Sequence, residues 1–169
     1  VYHSAVGHDY YEPRKQGHVF NTSQSTGAGF WLYSNTAKKY YAGGNMSVTF
    51  NELFGGRNYF AGIEQRYRFN DKLSVSQNVS FTPAINAVGF AGLEGNEIVF
   101  NRRNRNTVEN GLGIKYNFST KAGITLNTRH YWSEVKSKQF YTLQADGSLA
   151  ENNTYNTNRD FNVNLFNVD

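Results

Sequence analysis

The feature that most constrains this chain is a two-residue periodicity that recurs along much of its length. In the segment 59–69 the odd positions are mostly apolar and the even positions are mostly polar, and segments 73–82, 108–118 and 122–132 alternate similarly. Successive side chains of a β-strand point to opposite faces, whereas a helix places apolar residues three and four positions apart. The pattern therefore predicts an all-β chain built from amphipathic strands.

The connections between these strands alternate in length. Three are short, at 35–38, 70–72 and 119–121, and longer polar connections lie between them at 51–58, 83–105 and 135–158. Aromatic pairs precede each short connection: Trp31 and Tyr33, Tyr67 and Phe69, Tyr116 and Phe118. Outer-membrane barrels have short periplasmic turns, long external loops and aromatic girdles at both interfaces. The pattern therefore predicts an antiparallel transmembrane up-and-down β-barrel.

The composition is compatible with such a barrel. Charged residues make up 18% of the 169 residues and the mean hydropathy is −0.64. A barrel strand needs only about 9–11 residues, of which alternate ones face lipid, so a spanning chain can be polar on average. The absence of cysteine excludes disulfides, thiolate catalysis and cysteine-based zinc sites. We expect one domain, a barrel segment covering residues 1–169.

About eight strands are expected for this segment. Their approximate bounds are 1–9, 17–34, 39–50, 58–69, 72–83, 105–118, 122–135 and 158–168. Two loops are expected to extend as hairpins beyond the membrane. Residues 88–91 would pair with 97–100, and a second hairpin after 138–144 would turn at Asp146-Gly147, a signal for a type I′ turn.

A soluble, secreted β-sandwich or jelly roll that binds glycans through exposed Tyr and Trp is the alternative. One arrangement separates the two folds. In a barrel, nine residues should form a continuous outer belt, whereas in a sandwich they should converge on a sealed core between two sheets. These residues are Tyr59, Ile63, Leu73, Val75, Val79, Leu112, Ile114, Leu126 and Trp132.

Several strings resemble a family of Gram-negative outer-membrane proteins. They are YEPRK at 11–15, RRNRNTVEN at 102–110, IKYNFSTKAGIT at 114–125, RHYWS at 129–133, FYTLQADGSL at 140–149 and FNVD at 166–169. Members of that family carry a carbohydrate-binding family-9-like domain ahead of a C-terminal barrel of unknown function. The resemblance implies a barrel and no particular activity, and the sugar-binding-like domain is not in this sequence. It also implies further barrel strands, so we expect the strands near 1–8 and 159–168 to pair with the rest of a larger barrel.

Two groups of residues are candidates for a functional site. Six charged residues are predicted to face the barrel interior, where they either line a polar lumen that selects solutes or fill it as paired charges. They are Glu64, Arg66, Arg68, Glu109, Lys115 and Arg129. A second cluster, Arg102, Arg103 and Arg105, either contacts lipopolysaccharide phosphates or lies on a solvated loop.

No catalytic constellation, metal-ligand spacing or cofactor motif is visible, so we expect no enzyme, no cofactor and no metal site. Basic residues are scattered over both ends of the strands, which argues against nucleic-acid binding. The expected function is a structural or transport-related barrel in the bacterial outer membrane. Its expected partners are outer-membrane lipid, lipopolysaccharide, the remaining strands of the barrel, and barrel-assembly or other outer-membrane complex proteins.

Overall fold

The structure, a computed structural model, describes residues 1–169 and is all-β. The strands are β1 (Tyr2–Ser4), β2 (Gly7–Asp9), β3 (Phe20–Thr22), β4 (Ser25–Tyr33), β5 (Tyr40–Asn51), β6 (Gly56–Arg68), β7 (Leu73–Phe81), β8 (Ala84–Glu94), β9 (Glu97–Asn117), β10 (Gly123–Leu143), β11 (Leu149–Asn152) and β12 (Phe161–Val168). A single 3-10 turn, Leu53–Gly55, lies between β5 and β6. No helix is long and apolar enough to cross a membrane.

Ten strands form one antiparallel sheet, which confirms the predicted fold class at that level. Its main order is β1-β4-β5-β6-β7-β9-β10-β11, with β12 also paired to β10 and β8 paired to both β6 and β9. Strands β2 and β3 form a separate two-stranded sheet. Strands β1 and β12 do not pair with each other, so the ladder has two edges.

The strand register sorts side chains onto two faces of this sheet. Val75 lies opposite Ile114, and Ile114 lies opposite Leu126, so apolar side chains of β7, β9 and β10 share one face. The nine belt residues named above all fall on this face, and none is among the buried core residues. No second sheet seals them from solvent, and Ile63 is 64% exposed.

The core lies at one end of the sheet, in a part that we name the cap: residues 5–23, 52–55, 84–106 and 134–160. Phe20, Ile98, Phe100, Tyr141 and Leu143 form its buried cluster. The rings of Phe20 and Phe100 are 4.9 Å apart. The remainder, which we name the wall, comprises β1, β4 to β7, β12, residues 107–117 and residues 123–133.

Both predicted loop hairpins form, but the first has its turn at 95–96 and not over 92–96, because Glu94 pairs with Glu97. Phe90 of β8 pairs with Phe100 of β9, and Leu143 of β10 pairs with Leu149 of β11. The predicted type I′ turn at Asp146-Gly147 is wrong, because only Gly147 has a positive φ, of 84°. Instead Gly147 donates to the Gln144 carbonyl, and Gln144 donates to Ser148. The loop therefore has three residues, 145–147, and its last residue, Gly147, adopts the left-handed backbone conformation.

Other strand boundaries also differ from the prediction. The expected strands 105–118 and 122–135 are longer, because β9 covers Glu97–Asn117 and β10 covers Gly123–Leu143. The expected strand 1–9 is divided into β1 and β2, and the expected strand 17–34 into β3 and β4. The expected loop 51–58 is shorter, because β5 continues to Asn51 and β6 begins at Gly56. Ladder pairing continues through these polar residues, since Asn51 pairs with Gly56. Backbone hydrogen bonding, which does not depend on side-chain polarity, extends the strands there.

Candidate functional site

The six predicted interior charges lie on the polar face of the wall, opposite the apolar belt. Glu64 is paired with Asn78 and Arg66 with Ser76, while Lys115 lies between Ser74 and Thr125. Arg129 pairs with Gly111. The period of two therefore places all six on one side of the sheet. That this side faces a lumen stays a prediction.

The charges near the short turns are held by backbone and aromatic groups. Arg66 and Arg68 both donate to the carbonyl of Thr36, at 2.8 and 2.6 Å. The Arg66 guanidinium lies 5.7 Å from the Tyr41 ring centroid, and the Tyr41 hydroxyl donates to Glu64. These contacts tie β6 to the turn between β4 and β5, so the arginines have a structural role there.

Farther along the wall, Arg129 and Glu109 form an ion pair at 3.0 Å. Their side chains are 60% and 39% exposed, and pairs exposed to this extent contribute only about 0–1 kcal/mol. Lys115 forms no ion pair. The polar face thus combines one exposed pair with unpaired charge, and both the solute-selecting and the space-filling interpretations stay open.

The arginine cluster divides between the two faces of β9. Arg102 lies with its guanidinium 5.5 Å from the Phe54 ring centroid. Arg103 and Arg105 line a separate cavity in the cap. Burial lowers the pKa of Arg103, repulsion from Arg105 lowers it further, and the Glu12 carboxylate acts in the opposite direction. Contact of these arginines with lipopolysaccharide stays a prediction.

Sequence reasoning missed Asn86, which lines the same cavity. It has a φ of 53°, in the left-handed region that few residues other than glycine adopt. Its side chain donates to the Phe54 carbonyl at 3.1 Å and accepts from Lys138 at 2.9 Å. Residues 83–105 were predicted to be a loop, so the strand bulge at Asn86 was not expected. No signal in the sequence marks an asparagine with this backbone conformation.

A line of polar side chains on the apolar face was also missed. Gln65 donates to Gln77 at 2.9 Å, Gln77 lies 3.5 Å from Asn110, and His130 bonds Asn164 at 2.9 Å. Asn110 pairs in register with His130, so the line crosses β6, β7, β9, β10 and β12. Each member has a polar neighbour, as polar groups on an apolar surface require. Gln77, which interrupts an otherwise apolar set in the sequence, was the available signal.

Together, the fold and its polar face define an all-β protein with a large antiparallel sheet that is apolar on one side and polar on the other. A family model described as "Domain of unknown function (DUF5916)" matches residues 2–169. The chain therefore belongs to that family. Neither a curated protein nor a solved structure matches the chain.

Proposed function

We propose that this chain forms part of a transmembrane β-barrel in the bacterial outer membrane, with a structural or transport-related role and no catalytic activity. The observation that carries the proposal is the exposed apolar face of the wall. Ile63 is 64% exposed, Ile124 59% and Phe166 64%. Contiguous apolar surface on this scale is rare on soluble monomers and is typical of contact with a membrane or a partner.

Strand length supports a membrane as the contact. β4 and β7 each have nine residues, and a tilted membrane-spanning strand needs about 9–11. Aromatic residues bound this band on the apolar face. Tyr67, Phe69, Tyr116 and Phe118 lie towards the short turns, and Phe50, Tyr59, Phe81 and Trp132 towards the cap. Aromatic side chains favour the two membrane interfaces.

The opposite face supports a polar interior. Glu64, Arg66, Arg68, Glu109, Lys115 and Arg129 would then face a lumen, which in larger barrels is filled with water. The resemblance to outer-membrane proteins that carry a carbohydrate-binding family-9-like domain ahead of a barrel agrees with this location. The proposed environment is therefore lipid and lipopolysaccharide outside the wall and polar solute or protein groups inside it.

The unpaired edges of the large sheet, at β4 and β12, indicate what kind of partner the chain needs. Residues 28–33 of β4 have a partner only on the β5 side, and β12 pairs only with β10. An unpaired backbone group in hydrocarbon costs several kcal/mol, so both edges need partner strands in a membrane. We propose that further strands of the same barrel supply them, with barrel-assembly or other outer-membrane complex proteins as additional partners.

The two tryptophans test the proposal directly, because they lie on opposite faces. Trp132 is on the apolar face, whereas Trp31 pairs with Asn45 on the polar face. The variants Trp31→Phe and Trp132→Phe each retain one tryptophan. After reconstitution in vesicles of brominated phospholipid, we expect strong fluorescence quenching of Trp132 and weak quenching of Trp31.

The same measurement distinguishes the membrane barrel from the alternative, a soluble glycan-binding domain. A soluble glycan-binding domain would show no quenching of either tryptophan, and strong quenching of Trp31 alone would mean that the faces are assigned the wrong way round. Vesicles of the same phospholipid without bromine provide the unquenched reference.

A further inference from the structure

A cavity of about 360 Å³ lies in the cap, where the β3, β8 and β9 strands approach the end of β5. Its volume is within the range of about 300–1,000 Å³ that small-molecule sites occupy. Arg103 and Arg105 enter it from β9, and Asn51, Asn58 and Asn86 supply amide groups. Phe20, Leu53 and Val88 form an apolar part of the lining. The cavity thus combines cations, amides and apolar surface.

The charges around this cavity do not balance. Arg103 and Arg105 are absent from both ion pairs of the chain. Glu12 also lines the cavity, but its carboxylate accepts the backbone N–H of Phe90 at 2.8 Å. Arg14 adds positive charge beside Arg103. One carboxylate therefore faces several guanidinium groups, and the surplus is positive.

The half-buried Arg103 has only weak contacts within the protein. Its one hydrogen bond is to the Phe90 carbonyl, at 3.4 Å. Desolvation and its like-charged neighbours lower the pKa of the guanidinium, and the Glu12 carboxylate opposes them. A partly buried arginine usually has a carboxylate or phosphate partner. The fork of N–H groups on Arg103 thus has unused donor capacity towards the cavity.

The backbone around the cavity is irregular in a way that positions side chains. Pairing of β8 with β9 shifts between Ala84 and Ala87, which leaves Asn86 in the bulge. Pairing of β10 with β9 shifts between Ser137 and Gln139, which leaves Lys138 in a second bulge. The two bulged residues meet, because Lys138 donates to the Asn86 amide oxygen at 2.9 Å. Bulges re-aim side chains and are frequent beside binding sites.

Backbone strain is concentrated in the same place. The three non-glycine residues with positive φ are Arg14, Phe54 and Asn86. Asn86 lines the cavity, Phe54 follows the lining residue Leu53, and Arg14 is two positions after Glu12. Strained conformations of this kind cluster at ligand-binding sites. Their convergence indicates that the surrounding contacts hold the cavity in a defined shape.

We propose that this cavity binds a small hydroxylated anion, with its phosphate or carboxylate group on Arg103 and Arg105. The amides of Asn51 and Asn58 suit hydroxyl groups, and the apolar lining suits the carbon skeleton. This chemistry is found in free sugar phosphates and in the phosphorylated sugars of lipopolysaccharide. The site does not depend on whether the wall spans a membrane, so it can fail or succeed separately from the proposed function.

The test measures ligand binding to the full chain in detergent by isothermal titration calorimetry. The two probes are glucose 6-phosphate and glucose. We expect binding of glucose 6-phosphate that weakens with added salt, and no measurable binding of glucose. Arg103→Gln and Arg105→Gln should each weaken binding at least about tenfold, the size expected when one charge-assisted hydrogen bond is lost. Arg103→Lys, which keeps the charge but not the fork, should weaken it less than Arg103→Gln.

Arg57→Gln is the matched control, because Arg57 is exposed on the neighbouring strand and does not line the cavity. It should leave the affinity within about twofold. A near-ultraviolet circular dichroism spectrum for each variant shows whether the cap aromatics remain packed, and Arg103→Lys keeps the test valid if Arg103→Gln unfolds.

Titration with rough lipopolysaccharide and its dephosphorylated form distinguishes the two sources of ligand. Binding of the phosphorylated form alone, lost in Arg103→Gln, would support the site with lipopolysaccharide as the ligand. Binding of glucose 6-phosphate with the same dependence would support a free solute. If neither phosphorylated probe binds, or if glucose binds equally well, the proposal is wrong.

Discussion

Strands β9 and β10 each extend through both the cap and the wall. Their apolar side chains are mostly buried in the cap half and more exposed in the wall half. Between residues 97 and 106 of β9, Ile98, Val99 and Phe100 are buried, with at most 2% exposure. In the wall, Leu112 of β9 and Leu126 of β10 are 38% and 42% exposed. The cap therefore provides its own apolar interior, whereas the wall leaves its apolar side chains on the surface.

If the wall lies in a membrane, as proposed, one hairpin folds in two solvents. In the cap, apolar residues are packed between strands β8 to β11, β3 and the 3-10 turn, so the driving force for folding is burial away from water. In the wall, the backbone ladder satisfies its own hydrogen bonds and the apolar side chains remain on the surface. A folded cap in water and a folded wall in lipid are both consistent with one continuous ladder.

The largest expected effect is an all-or-none difference in chemical access. If the cap is external and the short turns are periplasmic, single cysteines at Asp146 and Asn104 should react with an impermeant maleimide on intact cells, and those at Asp71 and Thr120 should not. The chain has no native cysteine, so the background is zero. Labelling at 71 but not at 146 would reverse the topology, and permeabilised cells give the total reactivity of each position.

Next in size is the loss of a packed aromatic ring from the cap. Phe100 is fully buried, so Phe100→Ala should destabilise the cap by about 3–5 kcal/mol through lost burial and the remaining cavity. The measurement is the rate of proteolysis within residues 144–160. Phe81→Ala, in the wall, removes an identical ring that is 44% exposed and should leave that rate unchanged. Equal sensitivity to the two changes would mean that cap and wall are not separate regions.

A charge on the apolar face should have a slightly smaller effect. Ile114→Arg should reduce the free energy of folding into lipid by about 2–4 kcal/mol if Ile114 lies near the middle of the membrane. Asn127→Arg places the same charge on the polar face of the adjacent strand, opposite Gly113, and should cost far less. Refolding equilibria of both variants in phospholipid vesicles provide the comparison, and equal costs would argue against lipid contact at Ile114.

The smallest expected effect concerns pH and the loop between β10 and β11. Hydrogen bonds from the Ser148 side chain and backbone lower the pKa of Asp146. A carboxyl whose pKa is lower in the folded state adds stability above its unfolded pKa of about 3.9, and loses it as the pH falls through the folded pKa. Asp146→Asn should therefore lower thermal stability slightly at pH 7, with the difference vanishing at low pH. A constant difference at every pH would show that the charge is not responsible.

The wall was largely predictable because its physics is local. Alternation along each strand is enough to assign Ile63 and Glu64 to opposite faces, and the short turns are visible as polar interruptions. Both cap hairpins were located for the same reason, since each has a turn signal between apolar segments. The predicted faces of all six interior charges follow from period two alone.

The cavity was not predictable, because it depends on contacts between distant segments. Arg103 and Arg105 were recognised as members of a basic cluster with Arg102, but their cavity also needs Asn51 from β5 and Glu12 from the N-terminal loop. The two bulges that bring Lys138 to Asn86 follow from packing of β8, β9 and β10 and not from a local residue preference. The division of the expected first two strands likewise depends on how β2 and β3 pair with each other.

The length of β9 and β10 has a mechanical consequence. Each strand has 21 residues, so at about 3.4 Å per residue the hairpin is roughly 70 Å long. Lys138 is the single point where the register between the two strands shifts. A force applied to the cap would pass along the strands to the wall, and the bulge at Lys138 is where this hairpin would bend most easily. Because both strands continue from the cap into the wall, a displacement of the cap would reach the polar face of the wall without an intervening linker.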